Sequence, residues 1–163
     1  MNDTDDGVDA DATLRPYEPS DADQLWALKR GFETGLGAGT GGEEKAATYE
    51  AKLTDEYRRR WLDWVDRCVD EQASTVTVAE AGGDAADARG DVDDDANDAA
   101  AVDDSDIDAS GLAGYVFVLP ESLSFVWDAA VLNEVYVRPA YRGTGVADDL
   151  MEAALSTARE QDL

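Results

Sequence analysis

The sequence predicts an α+β fold: a mixed, mostly antiparallel sheet flanked by helices. Three observations lead there. Two segments near the start carry apolar residues at helical spacing. Three short strand-like runs then follow one another with no helical pattern between them. A last helical pattern closes the chain. Strands that succeed one another pair as antiparallel neighbours, and the helices then cover the faces.

The elements are justified in chain order. Residues 1–11 are acidic and lack apolar residues at any regular spacing, which predicts an unstructured tail. Residues 12–17, ATLRPY, read as a short strand. Ser20 stands three before Asp23 and suggests a capping-box start for a helix over 21–33. Ala22, Leu25, Leu28 and Phe32 form its stripe, widened by Trp26. Residues 35–42, GLGAGTGG, read as a flexible loop, because every second position is glycine. That run lacks the lysine of a Walker A loop. Tyr49, Leu53, Tyr57, Trp61, Trp64 and Cys68 recur every three or four residues and predict one long helix over 43–70. Its aromatic stripe suits core packing, or in part the wall of a substrate pocket. Arg58, Arg59 and Arg60 are the densest basic cluster on the chain.

Residues 73–81, 111–119 and 131–137 read as strands. Between the first two lies an acidic stretch, about 82–110, with eleven aspartates and one arginine. It has no apolar period and cannot contribute a core, so it predicts a disordered insertion in a hairpin loop. Asp91, Asp93 and Asp95 have calcium-loop spacing, but the glycine and the closing glutamate of such a loop are absent. Residues 12–163 thus form one domain, interrupted by that insertion.

Composition narrows the function. The chain of 163 residues has 38 acidic and 13 basic residues, a net charge of -25. Acid spread over the whole chain suits a surface soluble in strong salt, a halophilic bias; recruitment of a basic partner is the alternative. The same charge argues against nucleic acid binding. With a single cysteine, Cys68, no intramolecular disulfide can form, and a reducing cytoplasm is the natural setting. The absence of histidine excludes His-dependent triads and zinc sites that need His. No metal site and no membrane span are expected.

The stretch from Val131 onward carries the chemistry. It runs VLNEVYV, RPAYRGTGV, ADDLMEAALSTARE. Val146, Leu150, Ala154 and Ala158 place one face of the last helix on the sheet. Gly143 and Gly145 stand just before that helix, where glycine lets a ligand approach the backbone. Amides at a helix N-terminus can hold phosphate oxygens. Arg142, Arg138 and Thr144 are candidates to add bonds to such an anion. Asp148 and Asp149 suit the helix dipole but would repel an anion if turned toward it. Taken alone, the turn is equally consistent with an ordinary tight connection.

The segment Val137-Arg138-Pro139-Ala140-Tyr141-Arg142-Gly143-Thr144-Gly145-Val146-Ala147 resembles the acetyl-coenzyme A signature of the GNAT superfamily of N-acetyltransferases. Arg142 takes the leading Arg/Gln position, Gly145 the central Gly, and Ala147 the final Gly/Ala. The opening LRPYEPSDADQL and the order of elements are also similar to that family. The resemblance implies transfer of an acetyl group from acetyl-coenzyme A to a small-molecule or peptide amine. It implies that amides over Gly143, Thr144, Gly145, Val146 and Ala147, with Arg142, bind the pyrophosphate. Main-chain groups of Val135 and Val137 would pair with the pantetheine arm, and the Val135 N–H would face the developing oxyanion.

Glu134, on the strand leading to the turn, is the candidate general base, with an ordinary strand carboxylate as the alternative. Tyr136 shares its face and reads as acceptor-pocket wall or as core. Members of the superfamily continue with a further strand, helix and hairpin, and here those C-terminal elements are missing from the expected pattern. A fragment, a partner that completes the site (a homodimer included), and a degenerate binding module are the three readings.

Overall fold

The computed structural model describes residues 12–41, 43–82, 111–126 and 128–161, with the backbone alone for 36–41, 43, 44 and 46. The predicted tail and, apart from Gly82, the predicted acidic insertion lie outside the described residues. The order is β1 (Ala12–Pro16), α1 (Ala22–Gly41), α2 (Glu43–Lys52), α3 (Asp55–Glu71), β2 (Val76–Ala81), β3 (Leu112–Val118), β4 (Leu132–Val137) and α4 (Val146–Glu160). The four strands stand in the order β1-β2-β3-β4, and each neighbouring pair is antiparallel. The expected antiparallel sheet with flanking helices is therefore observed; no parallel pair occurs among the described strands.

Each face of the sheet carries its own core. On one face Val76, Val78, Tyr115 and Phe117 pack with Leu25, Trp26 and Leu28 of α1 and Trp61, Val65 and Cys68 of α3. On the other face Ala79, Ala81, Ala113, Val116, Val118 and Val137 pack with Val146, Leu150 and Ala154 of α4. Covering both faces buries every residue of β3, which explains its unbroken apolar run. The hairpin expected around the acidic stretch is present: the Ala81 N–H donates to the Gly111 carbonyl at 3.1 Å.

Four sequence-based expectations need correction. The helix expected over 21–33 continues to Gly41, so the Gly-rich run is helical rather than a loop. Glycine costs about 1 kcal/mol per helical residue relative to alanine. A nucleated helix, however, gains one hydrogen bond per residue added, and α2 packs against α1. The single helix expected over 43–70 is two, broken at Leu53 and Thr54. Thr54 is the N-cap of α3: its hydroxyl accepts from the Tyr57 N–H at 3.2 Å, and Asp55 and Glu56 favour the helix dipole. The bond that prepares α1 joins Glu18 and Asp21, not Ser20 and Asp23; the Glu18 N–H donates to Asp21 Oδ2 at 2.9 Å. Arg15 also donates to both Asp21 oxygens, at 2.7 and 2.8 Å, holding that carboxyl below its usual range. Lastly, 73–75 is a 3-10 turn, so β2 starts three residues later than expected.

Cys68 is buried as a small apolar residue, and burial pushes its thiol up to about 11. The C-terminal end of α4 is fastened by polar contacts. The Thr157 hydroxyl donates to the Ser74 carbonyl at 2.9 Å, and Gln161 Nε2 donates to the Leu119 carbonyl at 2.9 Å.

At Gly114 of β3, the backbone of β4 and a side chain of α4 both approach closely. A Cβ there would lie 2.6 Å from the Tyr136 carbonyl oxygen and 3.2 Å from Leu150 Cδ1. The first neighbour is backbone and cannot swing aside. Gly114→Ala is expected to destabilise the domain by about 1–3 kcal/mol. Urea unfolding checks this, as a lower midpoint with an unchanged slope.

Candidate active site

β4 ends at Val137, and the chain then makes a 3-10 turn over Pro139–Tyr141 before α4 begins. Gly143 and Gly145 have φ of 79° and 91°, in the left-handed region that L side chains rarely adopt. A Cβ at either glycine would meet nothing within 4 Å, so conformation rather than crowding requires glycine. The same openness leaves room for a ligand against this backbone. Gly145 is the N-cap of α4 and has no side chain to cap with. The first amides of α4, those of Val146, Ala147 and Asp148, therefore lie at the positive end of the helix without a side-chain cap from it. Val146 anchors this end in the core, while Ala147, Asp148 and Asp149 are exposed.

Two side chains of the turn bond back onto neighbouring main-chain carbonyls. The Thr144 hydroxyl donates to the Tyr141 carbonyl at 2.6 Å and closes the loop on itself. Arg142 Nε donates to the Val137 carbonyl at 3.0 Å, and its guanidinium lies 5.7 Å from the Tyr136 ring centroid. That geometry is a cation–π contact at the surface, worth about 0.5–1 kcal/mol.

β4 is an edge strand among the described residues. The Arg138 N–H donates to the Ala113 carbonyl of the β3 side at 2.9 Å. Main-chain groups alternate along a strand, so those of Tyr136 and Glu134 also face β3. The N–H and C=O of Val135 and Val137 point the other way, at the open edge. The Val137 carbonyl is the one that Arg142 takes.

Behind this edge lies a buried polar cluster. Lys29 Nζ, on α1, is 2.5 Å from Glu134 Oε1 and 2.7 Å from Glu33 Oε1. The Tyr115 hydroxyl donates to Glu134 Oε2 at 2.6 Å, and the Tyr57 hydroxyl donates to Glu33 Oε1 at 3.4 Å. The ammonium is also 5.0 Å from the Phe32 ring centroid and 5.3 Å from that of Trp61. Burial alone would lower the Lys29 pKa. The hydrogen bonds and negative charges of Glu134 and Glu33 outweigh it and hold the ammonium above its ordinary value. Burial first, then the Glu134 charge, pushes the Tyr115 phenol well above its usual range, so it stays a donor.

Comparison with known proteins assigns the chain. The sequence profile described as "Acetyltransferase (GNAT) family" matches residues 43–163. The chain belongs to the GNAT family. A solved N-acetyltransferase structure shares its fold. A crystal structure of PaiA N-acetyltransferase from Thermoplasma acidophilum, in complex with coenzyme A, is similar at 15% identity and a TM-score of 0.59, covering 93% of this chain and 74% of that one. A ribosomal-protein-alanine N-acetyltransferase from Brucella melitensis biovar Abortus 2308 aligns at 16% identity and a TM-score of 0.42, over 93% of this chain and 75% of that one. Among curated proteins none matches the sequence.

Within this GNAT domain the sequence-predicted residues fall into two groups. Glu134 and Tyr136 face α1 and the larger core, as alternation predicts, while Val135 and Val137 face α4. Arg142, Gly143, Thr144, Gly145, Val146 and Ala147 form the turn and the start of α4. Arg142 joins the groups through Tyr136. Thr144 does not cap α4: Gly145 is the N-cap, and the Thr144 hydroxyl donates to the Tyr141 carbonyl.

Sequence reasoning missed Lys29, Glu33 and Tyr115. A signal for the first was present: Lys29 stands four after Leu25 and three before Phe32, so it lies on the apolar stripe itself. A lysine there needs a carboxylate, and Glu33 follows at i+4. Of the stripe over 43–70, Trp61 and Cys68 lie in the core, and Leu53, Tyr57 and Trp64 are half-buried against it. The ring centroids of Trp26 and Trp61 are 6.2 Å apart, and those of Trp61 and Tyr115 6.4 Å apart. Arg58, from the basic cluster, pairs with Asp23. Among the described residues no group of His, Cys, Asp and Glu could hold a metal ion, and no helix is long and apolar enough to cross a membrane.

Tyr136 fits only because residue 31 is glycine. A Cβ on Gly31 would lie 2.7 Å from Tyr136 Cζ. Gly31→Ala should therefore destabilise the protein by about 1–3 kcal/mol. In a Tyr136→Ala background the same change should become neutral or stabilise by up to about 1 kcal/mol, the helix preference of alanine. Thermal melts of the four proteins in this cycle test the contact; equal losses in both backgrounds would disprove it.

Proposed function

We propose that this chain is an N-acetyltransferase that binds acetyl-coenzyme A along the edge of β4 and the turn after it. The observation that carries the reading is the pair of left-handed glycines ahead of the uncapped start of α4. Amides from Gly143 to Ala147 would receive the pyrophosphate oxygens, with Arg142 at their margin. The outward main-chain groups of Val135 and the outward Val137 N–H would hold the pantetheine arm, the Val137 carbonyl being bonded by Arg142. A primary amine, of a small molecule or a peptide, attacks the thioester carbonyl carbon. A carbon–nitrogen bond forms, the carbon–sulfur bond breaks, and coenzyme A leaves as a thiolate that takes a proton from solvent.

In this reading the Val135 N–H stabilises the developing oxyanion, and Glu134 accepts the amine proton, directly or through water. Each carboxylate oxygen has two acceptor sites. The bonds from Lys29 and Tyr115 therefore leave Glu134 with capacity to take a proton. Tyr136, beside it, would form part of the acceptor wall. No covalent enzyme intermediate is needed, in keeping with the burial of Cys68. A second reading has an observation of its own. Both Glu134 oxygens are already engaged, which also suits a structural ion pair in a non-catalytic module that binds acyl-coenzyme A.

Isothermal titration with acetyl-coenzyme A in strong salt tests the cofactor assignment. Saturable binding is expected, and undetectable binding by folded protein would sink both readings. With turnover established on a panel of primary amines, Glu134→Gln should lower kcat by about 100- to 10,000-fold while leaving acetyl-coenzyme A affinity within a few-fold. Circular dichroism must show the variant folded. Unchanged kcat would remove Glu134 from the chemistry.

A further inference from the structure

The buried cluster holds two carboxylates and one ammonium, so one negative charge is in excess. Glu33 and Glu134 share the ammonium of Lys29, whose side chain is 3% exposed. Without it, two carboxylates would face each other inside the protein, and each would disfavour ionisation of the other. Two phenols also bond to the cluster: Tyr115 from β3 donates to Glu134, and Tyr57 from α3 donates to Glu33. Phe32 and Trp61 supply ring faces to the ammonium. Lys29 is thus the cation in contact with Glu134, supplied from a helix that plays no part in the phosphate turn.

We propose that Lys29 is a positioning residue for acyl transfer, holding the Glu134 carboxylate in a single orientation and balancing its charge at the back of the β4 edge. It touches neither acceptor nor coenzyme A, and it acts only through Glu134. The inference rests on Glu134 being the base. It adds the contact that fixes the place of that carboxylate and balances its charge. The sign follows from the charges. Removing Lys29 takes away the opposite charge and leaves the like charge of Glu33, so protonation of Glu134 moves to higher pH. The acid limb of the rate profile moves with it.

Two measurements test this. In protein labelled with carbon-13 glutamate, the Glu134 carboxyl signal is identified by its loss in Glu134→Gln. Its titration midpoint should rise by at least one pH unit in Lys29→Met. In Glu33→Gln, which removes the competing carboxylate, the midpoint should fall. An unchanged midpoint in Lys29→Met overturns the proposal; if that variant does not fold, Glu33→Gln decides, and a rise or no change there overturns it. The second measurement is the pH profile of kcat/KM. Lys29→Met should displace the acid limb upward by a unit or more and approach the wild-type plateau at high pH, and Lys29→Arg should restore the limb. A loss that is uniform across pH would mean a merely structural role. Failure of the base assignment is separately visible: Glu134→Gln would keep its turnover while the carboxyl midpoint still responded to Lys29.

Discussion

Placing the Lys29 ammonium between α1 and the sheet withdraws three ionised groups from water, at a cost of several kcal/mol per ion. That cost is offset only while all three stay together with their hydrogen bonds. Removing a single partner from such a pair typically costs about 3–5 kcal/mol. The cluster therefore sets the register of α1 on β4. Two residues along each element, Gly31 meets Tyr136, and the absent Cβ makes room for the ring. The Tyr136 ring in turn receives the Arg142 guanidinium. A contact path thus runs from the core face of α1, through β4, to the turn that opens α4. The candidate base Glu134 and Tyr136, whose ring meets Arg142 of the turn, are alternate residues of one strand.

Much of this was legible in the sequence, and the gaps have physical causes. The strands were found because alternation and β-branching act locally, and because β3 is apolar on both faces. The turn was found because glycine at 143 and 145 is a backbone requirement written in the residues themselves. The Gly-rich end of α1 was misread because local preference disfavours helix there, whereas packing against α2 is a tertiary effect. The break at Thr54 was overlooked because the apolar period runs on through it, although Thr-Asp-Glu is a helix start. Glu134 was located by strand position. Its partner Lys29 lies 105 residues away, and no spacing rule connects them.

The remaining chemistry of the chain narrows what the site can do. There is no histidine, and the one cysteine lies in the core with its thiol pushed up to about 11. A thiolate nucleophile is therefore disfavoured at neutral pH. Direct attack by an amine needs only a proton acceptor, hydrogen-bond donors for the oxyanion and a held thioester. An edge strand with outward main-chain groups and an adjacent carboxylate can provide these in one place. This is why β4, rather than any side-chain triad, is the centre of the functional reading.

Charge poses the last constraint. A chain of net charge -25 repels an anionic cofactor at long range. The turn counters this locally, with helix amides and the cations Arg138 and Arg142 close to one another along the chain. These two effects differ in reach. The Debye length is about 10 Å in 0.1 M salt and about 3 Å in 1 M. Strong salt thus screens the repulsion from the distant acidic surface, while hydrogen bonds at contact distance to backbone amides survive. An acidic exterior and the proposed anion-binding turn are compatible on one molecule, because in that proposal the ligand is held chiefly through backbone geometry. The left-handed glycines build that geometry, and it does not depend on the net charge around it.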